Sequence, residues 1–87
     1  MLEEMVGHVV VIDLGSPYVC LGKLKRIDAN YLEVYDADFH DLRDTQTSRE
    51  NYVAASAATG IKRNRKRVLL VRGDMVAIAR LEDVVDE

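Results

Sequence analysis

The stretch that decides the fold is RVLLVRGDMVAIARL, residues 67 to 81. It holds two β-rich apolar runs, Arg67 to Arg72 and Met75 to Leu81, separated by Gly73-Asp74. Gly and Asp tolerate the positive φ that tight hairpin turns require, so the spacing predicts a two-residue β-hairpin. Both runs are nearly continuous in apolar residues, and an edge of this kind is unfavourable in water. The stretch therefore also predicts self-association.

Three more strands precede this pair. His8 to Leu14 is rich in β-branched residues and ends at a turn cluster. Val19 to Asp28 forms the second run, in which Gly22 interrupts the alternation and permits a bulge or sharp bend. Asp28-Ala29-Asn30 then offers a tight turn into a third strand, Tyr31 to Phe39. The sequence thus predicts five short strands, mostly joined by tight turns.

Two helical segments accompany the strands. LEEMV, at residues 2 to 6, has apolar residues at helical spacing and predicts a short N-terminal helix. Between strands three and four, Thr47 and Glu50 form a capping box, an alanine-rich run follows, and Gly60 suits the helix end. We expect this inserted helix from about Ser48 to Thr59. Its face around Tyr52 and Val53 could pack on its own barrel or on a neighbour.

Composition limits the remaining possibilities. A chain of 87 residues, 48% hydrophobic, is enough for one domain, and no run approaches a membrane span. The acidic start, MLEEMVGH, is unlike a secretory signal, so we expect a cytoplasmic protein. Cys20 is expected to be a small buried hydrophobe, and His8 and His40 are too far apart for a metal-ligand motif. Without a nucleophile–base pair, paired catalytic carboxylates or a phosphate loop, we predict neither enzyme activity nor a cofactor.

Charge is unevenly distributed in this acidic chain, whose net charge is −3. The basic segment, residues 62 to 67, carries five of the twelve basic residues, whereas all fifteen acidic residues lie elsewhere. Such a segment could contact phosphates, or it could be a solvated loop that keeps a sheet edge from aggregating. The candidate phosphate contacts are Lys62, Arg63, Arg65, Lys66 and Arg67. Nothing in the sequence indicates specific DNA binding.

Two short motifs resemble those of the Sm and Sm-like proteins. A short helix, a strand with Gly22-Lys23-Leu24, and Ile27-Asp28 at the end of strand two are similar to their first motif. Residues 71 to 76, VRGDMV, look like their second motif. The resemblance covers about 65 residues and omits the inserted helix and the tail. It implies a single Sm-like domain over residues 1 to 87.

The fold expected from strands and resemblance together is mostly β. It is a small five-stranded, strongly bent antiparallel barrel of the Sm-like, SH3-like type, with a short N-terminal helix. A helical segment at about residues 44 to 60 is inserted between strands three and four, and residues 82 to 87 form an acidic tail.

The resemblance further implies a homo-oligomeric ring in which strand four of one subunit pairs with strand five of the next. It implies single-stranded RNA binding around the pore, by the turn after strand two and by the Arg-Gly turn. Arg72 would form the edge of a nucleotide pocket, Gly73 would allow close backbone approach, and Asp74 would orient the turn or contact a base.

The turn after strand two departs from the family pattern. In Sm proteins an aromatic residue and Met-Asn follow the aspartate, whereas here Asp28 is followed by Ala29-Asn30-Tyr31. Asn30 could replace the base-reading asparagine by hydrogen bonding, and Tyr31 could contribute by stacking. Both residues also have plain structural interpretations, as a turn residue and a strand aromatic.

Two functional hypotheses follow. One is an RNA-binding Sm-like ring that acts in RNA metabolism. The other is a structural or protein-interaction ring without a nucleotide pocket, whose contact surface would be the helix face around Tyr52, Val53 and Ser56. Neither the number of subunits nor an RNA sequence preference follows from the residues.

Overall fold

The computed structural model describes residues 1–15, 17–44 and 48–85. In these ranges the chain forms five strands and one α-helix, and four short 3-10 helices join or flank them. No helix in the described ranges is both long and apolar enough to cross a membrane. The elements are β1 (Val9–Leu14), β2 (Tyr18–Ile27), β3 (Tyr31–Asp41), α1 (Arg49–Thr59), β4 (Arg65–Val71) and β5 (Met75–Arg80).

The strands form one bent antiparallel sheet in the order β4-β3-β2-β1-β5. The predicted five-stranded antiparallel architecture is therefore confirmed. The predicted hairpin between strands four and five is wrong, because β4 and β5 lie at opposite edges of the sheet. Their connection is a 3-10 turn, Arg72–Asp74, in which Gly73 does not have a positive φ. This turn carries the chain across the open end of the bent sheet, where β5 pairs with β1.

The irregularity predicted at Gly22, a bulge or a sharp bend, is confirmed as a break in the strand register. The β2–β3 register shifts between Leu21 and Lys23, on either side of this glycine. A Cβ atom built on Gly22 would lie 2.6 Å from Val34 Cγ1 and 2.9 Å from the Tyr35 carbonyl oxygen. Glycine is therefore required here because β3 approaches the β2 backbone too closely for any side chain.

The concave face of the sheet encloses the main core. Leu24 and Leu32 are fully buried there, and Leu2 and Met5 of the N-terminal segment pack against the same cluster. The predicted N-terminal helix is present as a 3-10 helix, Leu2–Met5. Cys20 is also fully buried, as expected, and burial raises the pKa of its thiol to about 12.

Helix α1 covers the opposite, convex face, called here the outer face. Val53 is buried in a second cluster with Val11, Val19 and Leu21 of β1 and β2. Of the two possible positions for this helix face, the structure shows packing on its own sheet. An ion pair between Arg49 and Asp13 also connects the helix to β1.

The ends of α1 follow capping rules. The N-cap is Ser48, whose hydroxyl oxygen accepts a hydrogen bond from the Asn51 N–H at 3.2 Å. The predicted cap, Thr47, lies outside the described residues. At the other end Gly60 has φ 98° and donates its N–H to the Ser56 carbonyl, so the predicted glycine stop is confirmed.

Candidate functional site

The two turns singled out from the sequence are hydrogen-bonded to each other. The Arg72 N–H donates to the Asn30 carbonyl at 2.8 Å. The Arg72 guanidinium donates through Nη1 to the Asp28 carbonyl, also at 2.8 Å. The structure therefore joins residues 28–31 and 72–74, which are separated by about forty positions in the sequence, into one surface.

Asp28 shapes this surface from within its own turn. Its carboxylate Oδ1 accepts hydrogen bonds from the backbone N–H groups of Asn30 (2.8 Å) and Tyr31 (2.7 Å). These two bonds, the Asn30 bond first, hold the pKa of Asp28 below its usual value of 3.8, and the nearby charges of Arg26 and Arg72 act in the same direction. Asp28 is thus a turn-forming residue whose acceptor oxygen is already engaged by the backbone.

Three other residues of the surface face solvent. Tyr31 has an exposed fraction of 44%, which is high for an aromatic side chain at the start of a strand. Asn30 is exposed beside it, and at Gly73 no atom of the described residues lies within 4 Å of the position that a Cβ would occupy. A flat ring, an amide and an open backbone are the groups that bind the face and the edge of an unpaired base.

Asp74 is exposed and contributes mainly through its backbone. Its carbonyl oxygen accepts a hydrogen bond from the Gly15 N–H at 2.7 Å, which connects the 3-10 turn to the end of β1. The turn is consequently held at both ends, by Arg72 on the β2–β3 turn and by Asp74 on Gly15. This supports a rigid, preformed surface.

The basic segment lies far from these turns. In the β3–β4 ladder Val71 is opposite Tyr31, whereas Arg65 is opposite Ala37. Six residues of strand separate the two levels, a distance of about 20 Å. Arg67 is held by Glu33, with Nε 2.7 Å and Nη2 2.5 Å from the same carboxylate oxygen. The structure thus places the basic candidates and the turn residues at opposite ends of β4.

Asn64 is a structural residue that the sequence analysis missed. Its Oδ1 accepts from the Phe39 N–H at 3.0 Å, and its Nδ2 donates to the buried carboxylate of Asp38 at 3.1 Å. The Tyr52 hydroxyl donates to the same carboxylate, and burial followed by this hydrogen bond raises the pKa of Tyr52. Asn64 therefore fixes the basic segment to β3 and, through Asp38, to α1. The available signal was a single amide that interrupts five basic residues.

Acid titration tests the role of Asp28. Because the pKa of Asp28 is lower in the folded state than in the unfolded chain, its contribution to stability is complete above pH 3.8. It is lost as the pH falls through the folded-state value. We expect an NMR titration to place the Asp28 pKa below 3.8, and the Asn30 and Tyr31 amide protons to shift in the same step.

Two variants control this titration. Asp28→Asn keeps an acceptor oxygen and should retain the turn while removing the titration step from both amide signals. Asp28→Ala should remove the step and also the two hydrogen bonds, which increases amide exchange at Asn30 and Tyr31. An Asp28 pKa at or above 3.8 in the wild type would contradict this account of the turn.

Comparisons with known proteins identify the fold of this chain. No family model and no curated protein matches the chain. Solved structures do match, and among them is the Sm protein of Pyrococcus abyssii in complex with a uridine heptamer. The two share 12% identity with a TM-score of 0.61, and the match covers 91% of this chain and 90% of the other. The chain therefore has an Sm-like fold, as the two sequence motifs predicted.

Proposed function

We propose that this chain forms a homo-oligomeric ring and binds single-stranded RNA at the surface formed by residues 28–31 and 72–74. The observation that carries the proposal is the pair of hydrogen bonds from Arg72 to Asn30 and Asp28, which builds one preformed surface from both motifs. The Sm protein of similar fold was solved in complex with a uridine heptamer, which supports RNA as the ligand class.

Ring formation is supported by the two free sheet edges. Among the strands that the structure describes, β4 has a single neighbour, β3, and β5 has a single neighbour, β1. Leu69 and Val71 on β4 have exposed fractions of 46% and 53%, so the edge is apolar as well as unpaired. When β4 of one copy pairs antiparallel with β5 of the next, the first copy keeps a free β5 edge and the second keeps a free β4 edge. Further copies can add in the same way until the ring closes and every edge is paired.

In this proposal three side chains contact the RNA, all through non-covalent interactions. The Tyr31 ring stacks on a base, and the exposed Asn30 amide binds a base edge. Arg72 donates a hydrogen bond from Nη1 to the Asp28 carbonyl, which anchors its side chain. Its other N–H groups then donate to a base or a phosphate of the RNA. The role is that of a binding scaffold in RNA metabolism, and a cytoplasmic location belongs to the same proposal.

Removing the Arg72 side chain tests the site. We expect Arg72→Ala to weaken binding to oligo-U or oligo-A about tenfold or more, because it removes a charged donor and the contact that aligns the two turns. Fluorescence anisotropy at low and moderate salt measures the effect. Arg72→Lys should recover the charge but only part of the affinity, since a lysine cannot reproduce the planar guanidinium contact.

Arg43→Ala is a matched control, because it also removes one arginine side chain. Arg43 follows β3 at the end remote from Tyr31 and is paired with Asp41 at 2.8 Å. Its loss should change RNA affinity only slightly. If the assembled wild-type protein binds neither oligonucleotide, the RNA part of the proposal is wrong.

The structure weakens the alternative of a protein-interaction ring. Its expected contact surface included Val53 and Ser56, which are only 3% and 8% exposed because α1 packs on β1 and β2. Native mass spectrometry of the protein purified with its bound molecules separates the two functions. Retained RNA supports the proposal, and a defined protein partner supports the alternative.

A further inference from the structure

Opposite charges lie beyond the two free edges of the sheet. Arg65 and Lys66 begin β4, and both are exposed. Glu82 and Asp83 directly follow β5 and are also exposed. Within one subunit β4 and β5 are at opposite edges of the sheet, so the two charged ends do not adjoin across a shared ladder.

Antiparallel pairing between copies brings these ends together. β4 runs from its basic end to Val71, and β5 runs from Met75 to its acidic end. When one strand is reversed against the other, Val71 lies near Met75, and Arg65 lies near the residues that follow Arg80. The direction of the strands therefore places the basic end of β4 beside the acidic end of β5 in every interface of the ring.

In this antiparallel pairing the outer-face side chains of β4 and those of β5 are complementary in size. On β5 the outer-face residues are Ala77 and Ala79, since they pair with Asp13 and Val11 beneath α1. On β4 the outer-face row includes Leu69, because its neighbour Leu70 is buried in the inner core. The small alanines border a groove of about 260 Å³ between β5 and α1, which has room for an apolar side chain such as Leu69.

Keeping these rows on one face restricts the register. With Leu69 beside Ala77 or Ala79, Arg65 is four residues further along and comes to the level of Leu81 or Asp83. This favours the register with Leu69 beside Ala79, in which Arg65 is at the level of Asp83 and Lys66 at the level of Glu82, so that opposite charges meet at the end of the interface. Within each subunit Arg67 is occupied by Glu33, and Arg80 lies 3.6 Å from Glu82.

We propose that Arg65 and Lys66 of one subunit pair with Glu82 and Asp83 of the next, so that the basic segment is a specificity element of the ring interface. This inference rests on the proposed ring. It gives Arg65 and Lys66, two of the five basic residues in the segment, a partner in a second copy of this chain. Pairing of two β4 strands or of two β5 strands would not bring Arg65 and Lys66 beside Glu82 and Asp83, so the contact also favours the head-to-tail order.

Charge exchange provides the experiment. The basic-end variant is Arg65→Glu/Lys66→Glu, and the acidic-end variant is Glu82→Lys/Asp83→Lys. Each places like charges together in its own interface, and we expect self-association to weaken about tenfold or more at low salt. The variant with all four changes restores opposite charges in every interface and should assemble like the wild type. Sedimentation velocity at two salt concentrations measures all three.

A mixture of the two double variants gives a second, independent readout. Neither pairs well with itself, but both interfaces between the two variants have opposite charges, so mixing should restore assembly in alternating order. In a ring with an odd number of subunits, one interface would still join two copies of the same variant, and recovery would be less than complete. Circular dichroism of each variant confirms that it is folded. The mixture experiment also works if one variant is slightly less stable, because recovery is then measured against its own unmixed sample.

The outcomes distinguish this inference from the ring itself. If the wild type remains monomeric at micromolar concentration, the proposed ring is wrong. If the wild type assembles and both double variants assemble equally well, the ring stands and the charge contact is overturned. If the basic-end variant assembles normally but binds oligo-U more weakly, the segment contacts RNA phosphates, which also overturns the inference.

Discussion

Replacing Gly22 by alanine is expected to lower the free energy of unfolding by about 3 kcal/mol, the upper end of overpacking effects. The new Cβ would lie 2.6 Å from Val34 Cγ1, 2.9 Å from the Tyr35 carbonyl oxygen and 3.0 Å from the Ala37 Cα. Two of these atoms belong to the β3 backbone, so a rotamer change cannot relieve the clash. Urea denaturation followed by circular dichroism, at one fixed protein concentration, measures the loss.

Gly73→Ala is the matched control for this substitution. In the part of the chain that the structure describes, no atom lies within 4 Å of the position of its Cβ, and its φ is not positive, so we expect a change within about 0.5 kcal/mol. A hairpin turn with positive φ at Gly73 would instead be destabilised by alanine. Equal losses at the two glycines would contradict both the close approach at Gly22 and the observed turn geometry.

Most strands could be predicted because their signals are local. β-branched runs, turn residues and the bend at Gly22 are all read within ten residues, and the observed strand ends differ from the predicted ones by one or two positions at most sites. The end of α1 could also be predicted locally, because Gly60 adopts a positive φ that suits glycine. The N-cap is Ser48, one residue after the predicted Thr47, and the sequence did not distinguish them because both have a hydroxyl group that suits an N-cap.

Strand partners could not be predicted in the same way. Two β-rich runs with Gly73-Asp74 between them have the local pattern of a hairpin, yet β4 pairs with β3 and β5 with β1. The choice depends on the bend of the whole sheet, which brings the end of β4 close to the end of β1. The curvature of the sheet is the sum of small twists in every strand, so no short segment of the sequence predicts it.

Only part of the candidate site could be predicted, because the rest of it also depends on contacts between distant segments. The resemblance pointed to both turns, but the direct bonds from Arg72 to Asp28 and Asn30 depend on the tertiary fold. The position of Arg65 about 20 Å from Tyr31 follows from the β3–β4 register, which fixes opposite ends for the two features. Charge alone could not show that distance.

Leu69→Lys is expected to abolish the ring and leave the subunit folded. Leu69 is 46% exposed on the outer row of β4, so the subunit loses little buried area, and Glu33 on the opposite strand can pair with the new ammonium group. In the interface the same charge would be buried against alanines of β5. We expect each interface to weaken about 100-fold, as for a central hot-spot residue.

Val6→Lys is the matched control, since Val6 is 40% exposed and lies outside the sheet. Native mass spectrometry at micromolar concentration should show monomer for Leu69→Lys and the wild-type assembly for Val6→Lys. An intact ring in folded Leu69→Lys would contradict pairing through β4.

The same variant separates assembly from recognition. Leu69→Lys keeps the Tyr31, Asn30 and Arg72 surface, but a monomer presents one such surface where a ring presents several to the same strand. Multivalent binding raises affinity by about 10² to 10⁴, so oligo-U binding should fall by a comparable factor although no RNA-contacting residue has changed. Arg72→Ala should do the reverse, with weaker RNA binding in an intact ring. If RNA binding by monomeric Leu69→Lys equals that of the wild type, each subunit binds RNA independently and the ring is not required for recognition.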